Sequence, residues 1–375
     1  MSAREYDVAI VGAGIIGAAY ADELTRRGLR VAIFDVDTGA GATMAAMGHV
    51  VVMDDSEAQF ALTRYSQQLW QQQRSELPRN VEYQDCGTIW VAADEEDLQE
   101  IFRKRDYYEA RGAPARVLSP LELQVEEPGL RPGMAGGLIV SEDLVVDPSS
   151  AARFFLERAR KQGAAFYSGS AVVRIGDRSL RLASGQEFTP RFIVNAAGSN
   201  SADLTPGISI QKRKGHLALT DRQPGFLRHQ LVELGYLKSA HAVKSDSVAF
   251  NVQPRRTGQI LVGSSRQYGA ETKDVDDEIL GQMLRRAQSY MPRLAEMPIE
   301  RVWTGFRAAT PDKLPLIGPW PPDGSVFLAT GHEGLGITTS LGTARILADQ
   351  ITGATPQIPI EPYLPARLLQ QRGGV

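Results

Sequence analysis

The hexapeptide Gly12-Ala13-Gly14-Ile15-Ile16-Gly17 lies between an apolar, β-branched run at 6–11 and a helical pattern at 15–27. In that setting each glycine has a reason to be there. Gly12 permits a tight turn, Gly14 lets backbone approach a pyrophosphate, and Gly17 lets the helix pack close to the strand. Ala13, Ile15 and Ile16 complete the loop, and the helix start turns its unpaired N–H groups and positive dipole end toward the phosphates. Asp35 ends a second buried strand at 30–34, twenty-one residues beyond Gly14. That is the spacing of an acid that accepts a ribose hydroxyl. Together these residues specify a dinucleotide site, without separating NAD from FAD.

Two further glycine sites follow. Val194-Asn195-Ala196-Ala197-Gly198 comes after a buried strand at 191–195. Its small residues let the chain turn pass close to a ligand, with Ala196 and Gly198 as contacts. The second site, Thr330-Gly331-His332-Glu333-Gly334-Leu335-Gly336-Ile337-Thr338, opens the last helix. A glycine-rich strand end leading into a helix N-terminus is an anion site. In a flavin enzyme such a helix end stabilises negative charge on the reduced ring. An NAD-dependent dehydrogenase would account for the first motif but not for these two.

The elements that must position these motifs are legible at coarse grain. Strand, helix and strand at the start form one βαβ unit. Helices are expected at 56–73, 95–111, 149–162, 274–290 and 338–351, the last closed by Gly353. Strands are expected at 81–92 around a Cys86-Gly87 turn, at 164–182, 191–195 and 326–330, and repeatedly from 208 to 265. Residues 120–137 read as loop and short helix. Nucleotide-type βα signals therefore occur at the start, middle and end, with antiparallel material between them. The expected fold is α/β: a Rossmann-type dinucleotide domain (1–78, 144–205 and 303–375) with an inserted α+β domain (79–143 and 206–302) on a large mixed, mostly antiparallel sheet.

Composition narrows the function. Of 375 residues, 43% are hydrophobic and 23% charged, and the formal net charge is -3. That balance suits a globular chain with a large core, and it lacks the basic footprint of a nucleic-acid binder. The one cysteine, Cys86, cannot form an internal disulfide or a cysteine-ligated metal or iron–sulfur site alone. No cluster of metal ligands stands out. No apolar stretch approaches the roughly 18 residues of a membrane span, and no export signal is evident, so a cytoplasmic location is expected.

Taken in order, the motifs resemble the D-amino acid oxidase and glycine/sarcosine oxidase family of FAD enzymes. The match runs end to end. It comprises the first glycine motif with Asp35, then Gly41-Ala42-Thr43-Met44-Ala45-Ala46-Met47-Gly48 and the Val194 turn. Trp303-Thr304-Gly305-Phe306-Arg307, Pro311-Asp312-Lys313-Leu314-Pro315-Leu316-Ile317-Gly318 and the last glycine turn complete it. Within the family, the Gly331-to-Gly336 stretch is most like catalytic subunits of bacterial D-hydroxyproline and opine dehydrogenases.

The resemblance implies oxidation of a small amino or imino acid at its C–N bond, with hydride passing to flavin N5. It places Arg307 on the substrate carboxylate, where a planar guanidinium matches a carboxylate bidentately. Ala308 stands where the family usually has proline. His49 and Asn251 are further residues expected to face the substrate. Ala45, Met47 and Gly48 are expected along the flavin ring, and Val173 in the cofactor-binding set. FAD is expected to be non-covalent, since the histidine and cysteine motifs for attachment are missing. The basic run Lys212-Arg213-Lys214-Gly215-His216 reads as a solvated face, or less readily as a border of the site. The resemblance also brings in an iron–sulfur or second flavin subunit as electron acceptor. The alternatives are an oxygen-using oxidase and a flavin-bearing subunit without its own catalytic site.

Overall fold

The computed structural model describes residues 6–37, 41–235, 246–320 and 324–370. Strand β1 (Val8–Val11) is buried at every position because it runs through the middle of a six-stranded sheet. Its side chains alternate between two cores. Val8 and Ile10 face a layer of helices, while Ala9 and Val11 face a small three-stranded sheet carrying Leu180, Leu182 and Phe188. Helix α1 (Ile15–Arg26) returns to β2 (Val31–Asp35), which pairs with β1 in parallel. On the other side of β1 lie Phe192–Asn195 and then Val326–Thr330, both parallel. Leu316–Pro319 closes that edge antiparallel, and Ala165–Ser168 closes the other. Three separated stretches of chain thus build one dinucleotide-type sheet, and its strand ends gather the three glycine turns.

The second sheet has eight strands. From one edge they are Ile299–Ala309, Gln211–Thr220, Ile260–Arg266, Ser247–Pro254, Gln230–Glu233, Thr88–Ala92, Gly136–Val140 and Ala115–Leu118. Every pairing is antiparallel except that between Gln230–Glu233 and Thr88–Ala92. The amphipathic helix Asp277–Tyr290 covers one face through Ile279, Met283, Ala287 and Tyr290. The opposite face looks toward the glycine turns.

Two expectations need adjustment, and two short strands were not foreseen. Ile299–Ala309 is one strand paired along its length with Gln211–Thr220, so a boundary before residue 303 falls inside a strand of the larger sheet. The short strands Ala115–Leu118 and Leu144–Val145 carry too few residues for a period to show. The basic run 212–216 is not a solvated face. It is part of a strand in which Lys214 and His216 are buried, and Arg213 is ion-paired.

Candidate active site

The glycine loop is held by contacts that exclude larger residues. Gly12 sits at φ +103°, and a Cβ there would stand 2.4 Å from the Ala196 carbonyl oxygen. A Cβ on Gly17 would lie 2.0 Å from the Gly12 oxygen. Gly17 is therefore a packing position behind the loop, and does not line the cleft. At Gly14 an added Cβ would meet only the Thr43 hydroxyl, at 3.1 Å, so this backbone is open toward the cleft. Asp35 accepts a hydrogen bond from the Ala13 N–H at 2.5 Å, and Thr43 Oγ1 accepts from the Ile15 N–H at 3.0 Å. The acid that would receive a ribose hydroxyl thus also fixes the phosphate loop. Thr43 lies in the quoted motif, but its spacing does not reveal that it caps the loop.

The cleft has a volume of about 1180 Å³, more than the ~300–1,000 Å³ of an ordinary ligand pocket. Ala196, Gly198, Ser170 and Val172 line it beyond the ribose acid. Val173 does not: its side chain is 54% exposed, because neighbours in a strand point to opposite faces.

At the other end, residues 45–48 are pressed against the larger sheet. A Cβ on Gly305 would be 2.2 Å from Ala45 Cβ, and one on Gly263 would be 3.1 Å from the Met47 sulfur. Gln253 Nε2 donates to the Met47 carbonyl at 2.9 Å. Gly48, at φ +104°, passes the Val146 carbonyl with no room for a side chain. The same cleft is lined by Gly331, His332, Gly334, Leu335, Gly336 and Ile337. The helix Gly336–Thr352 starts without a side-chain cap, leaving its N-terminal dipole for an anionic ligand. Thr338 is fully buried, and its hydroxyl donates to the His49 carbonyl at 3.0 Å. Both stretches line one cleft with Asp35 and the phosphate loop, an arrangement that suits a flavin dinucleotide.

Arg307 lines the far end of the cleft, with Nη1 donating to the Ser265 carbonyl at 2.8 Å. Gly215, its near neighbour on the adjacent strand, gives the guanidinium its room, since a Cβ there would be 2.5 Å from Nη1. His49 and Asn251 line the same end. The buried His49 Nδ1 has no hydrogen-bond partner in the protein. Asn251 Oδ1 lies 3.4 Å from Gln230 Nε2, and the buried Gln230 Oε1 also lacks a partner. Gln230 and Arg266 are cleft residues that sequence reasoning missed, because only strand register brings them there, and Glu333 lies in the quoted glycine turn without having been singled out. Among the described residues no group of three or more His, Cys, Asp or Glu is arranged to hold a metal. No helix among them is long and apolar enough to cross a membrane. Burial pushes the Cys86 thiol up to about 12, leaving it protonated at neutral pH.

Burial lowers the pKa of His49 to about 4, with the Arg307 charge adding to the effect. Burial alone lowers that of His332 to about 3, while its Nε2 meets Thr343 Oγ1 at 3.0 Å. Both values lie below the histidine reference of 6.5. The unfolded chain therefore binds more protons within this window, so stability is complete above it and is lost as pH falls through it. Melting temperature is expected to drop on acidification from about pH 7 to about 5. The drop should be shallower in His332→Gln. Equal slopes in the two proteins would show that His332 is not held neutral by the fold.

A family model for FAD dependent oxidoreductases, DAO, matches residues 7–350. The hydrogen cyanide synthase subunit HcnC of Pseudomonas aeruginosa is 27% identical, covering 99% of this chain and 98% of its own length. Glycine oxidase of Bacillus licheniformis is also 27% identical, over 93% of this chain and 94% of its own. The crystal structure of glycine oxidase from Geobacillus kaustophilus superposes with a TM-score of 0.87 at 26% identity, covering 96% of this chain and 98% of that one. The match spans both sheets and all three glycine turns. The chain belongs to the DAO family of FAD dependent oxidoreductases.

Proposed function

We propose that the chain is a dehydrogenase for a small secondary amino (imino) acid, with D-proline and 4-hydroxy-D-proline as reference substrates, and that it binds FAD non-covalently. The observation that carries this reading is the position of Arg307. It closes the far end of a cleft whose near walls, residues 45–48 and 331–337, suit a flavin ring. Bound FAD supplies the hydride acceptor. The chain's own task is positioning: Arg307 fixes the carboxylate, and Asn251 and Gln230 offer amide groups to the rest of the substrate. His49, neutral by burial, adds no charge there. The oxidised product, an imino acid, can hydrolyse in water.

A partner subunit, iron–sulfur or flavin, is proposed to take the electrons. One relative is named as a subunit of a synthase, which supports such an arrangement. The single cysteine supports a cytoplasmic setting. The glycine oxidases among the relatives favour the oxygen-using alternative. Turnover with D-proline, in air and then with an artificial acceptor under nitrogen, decides between them. A dehydrogenase gives acceptor-coupled turnover at least about tenfold above the oxygen-coupled rate. Stoichiometric hydrogen peroxide in air would make the enzyme an oxidase. Acid precipitation should release all the flavin into the supernatant.

A further inference from the structure

Two cleft residues carry a buried polar atom with no hydrogen-bond partner among the described residues: the Trp90 Nε1 donor and the Gln230 Oε1 acceptor. Trp90 and Gln230 are each only 2% exposed. They lie on neighbouring parallel strands, where Trp90 is in register with Val232 and Thr88 with Gln230. Register partners share a face and side chains alternate along a strand, so Trp90, Val232 and Gln230 point the same way. All three line the cleft. Gln230 Nε2 lies 3.4 Å from Asn251 Oδ1, which leaves the carbonyl end of the amide as the free one.

The indole is held in place without help from a ligand. Lys104 Nζ sits 4.3 Å from the centroid of its ring, and Lys104 is fully buried in an ion pair with Asp54. Neither Lys104 nor Asp54 lines the cleft, so this cation–π contact orients the ring without occupying the site. The last glycine turn joins this corner to Arg307. A Cβ on Gly334 would lie 3.8 Å from Arg307 Nε, and Leu335 packs against the apolar cluster that holds Val51, Met53, Trp90 and Val232.

A buried donor or acceptor left unpaired is costly. An indole N–H only donates and an amide oxygen only accepts. A methylene meets neither need, an ammonium cannot accept, and a carboxylate has no proton for the amide oxygen. A hydroxyl accepts from the first and donates to the second.

We infer that Trp90 and Gln230 are specificity-determining residues that together read one hydroxyl group of the substrate. Trp90 Nε1 donates to its oxygen, and Gln230 Oε1 accepts its O–H. The inference rests on the amino acid reading of the site, with the carboxylate on Arg307, and deepens it. 4-Hydroxy-D-proline completes both bonds, whereas D-proline leaves both atoms unpaired.

The test uses FAD-loaded protein and ring acids that contain no C–N bond to oxidise: cyclopentanecarboxylate and the cis and trans isomers of 3-hydroxycyclopentanecarboxylate. By titration calorimetry, one hydroxy isomer should bind at least about tenfold more tightly than the parent acid. Trp90→Phe keeps an aromatic ring and removes the N–H. It should cut that ratio to below about threefold, with affinity for the parent acid changed by less than about threefold. An indole with only a structural role would move all three acids together. Gln230→Met should lower the same ratio. No preference in the wild type, which requires no variant to fold, would overturn the inference. So would a full preference in Trp90→Phe. The amines separate the two readings. Equal kcat/KM for D-proline and both C4 epimers of 4-hydroxy-D-proline would sink the hydroxyl site and leave amino acid oxidation standing. If a hydroxy acid is preferred but no amine reduces the flavin, the hydroxyl site stands and the amino acid reading falls.

Discussion

Arg307→Met is expected to lower kcat/KM by about 10²–10³-fold, with bound flavin unchanged. The estimate follows from removing one partner of a largely desolvated, charge-assisted contact. Arg307 lies on the strand Ile299–Ala309, and its guanidinium lies over Gly215 with Nη1 anchored on the Ser265 carbonyl. That anchor keeps the fork in place before a substrate arrives, so its ordering cost is already met by the fold. Arg307→Lys keeps the charge and loses the planar fork, and should fall between wild type and Met. Steady-state kinetics with sarcosine and D-proline measure both variants. Turnover of a purified active complex that survives Arg307→Met unchanged would favour the reading in which this chain carries flavin without catalysing.

The second large effect belongs to the phosphate loop. Gly12→Ala should leave the protein essentially without FAD. It forces a side chain into a left-handed backbone with its Cβ 2.4 Å from the Ala196 oxygen. The same clash threatens the junction of β1 with the Val194 turn, so the variant could lose its fold as well as its ligand. Gly14→Ala separates the two effects. Its Cβ meets only a threonine hydroxyl inside the protein, at 3.1 Å, yet points where a pyrophosphate must pass. It should keep its circular dichroism and melting cooperativity while FAD affinity falls by about tenfold or more. Wild-type affinity in a folded Gly14→Ala protein would remove the loop from the phosphate site.

The sequence made the dinucleotide half of the molecule the more legible. Buried parallel strands such as Val8–Val11 read as unbroken apolar runs, and glycines mark their ends. The βαβ unit and the last helix were therefore visible to within a residue or two. Asp35, residues of the three glycine turns and Arg307 all line one cleft. The larger sheet was harder. Its strands mix charged and apolar residues because one face lines a polar cleft. Lys214 and His216 thus read as surface although the strand buries them. Arg266 and Glu333 are distant in sequence from each other and from Arg213. Strand register brings Arg213 and Arg266 side by side and the last glycine turn brings Glu333 to them, and no single-chain period encodes register between strands. Val173 was misplaced by one pleat: its neighbour Val172 takes the cleft side.

The most direct test of the account is an anaerobic titration of the purified protein, following its visible flavin band. Sarcosine, iminodiacetate, glycine, L-proline, D-proline and 4-hydroxy-D-proline would be added in turn. The account predicts that at least one secondary amino acid bleaches the band completely, and that the same addition to Arg307→Met leaves it largely oxidised. A full flavin band that none of these compounds reduces would contradict amino acid oxidation at this site.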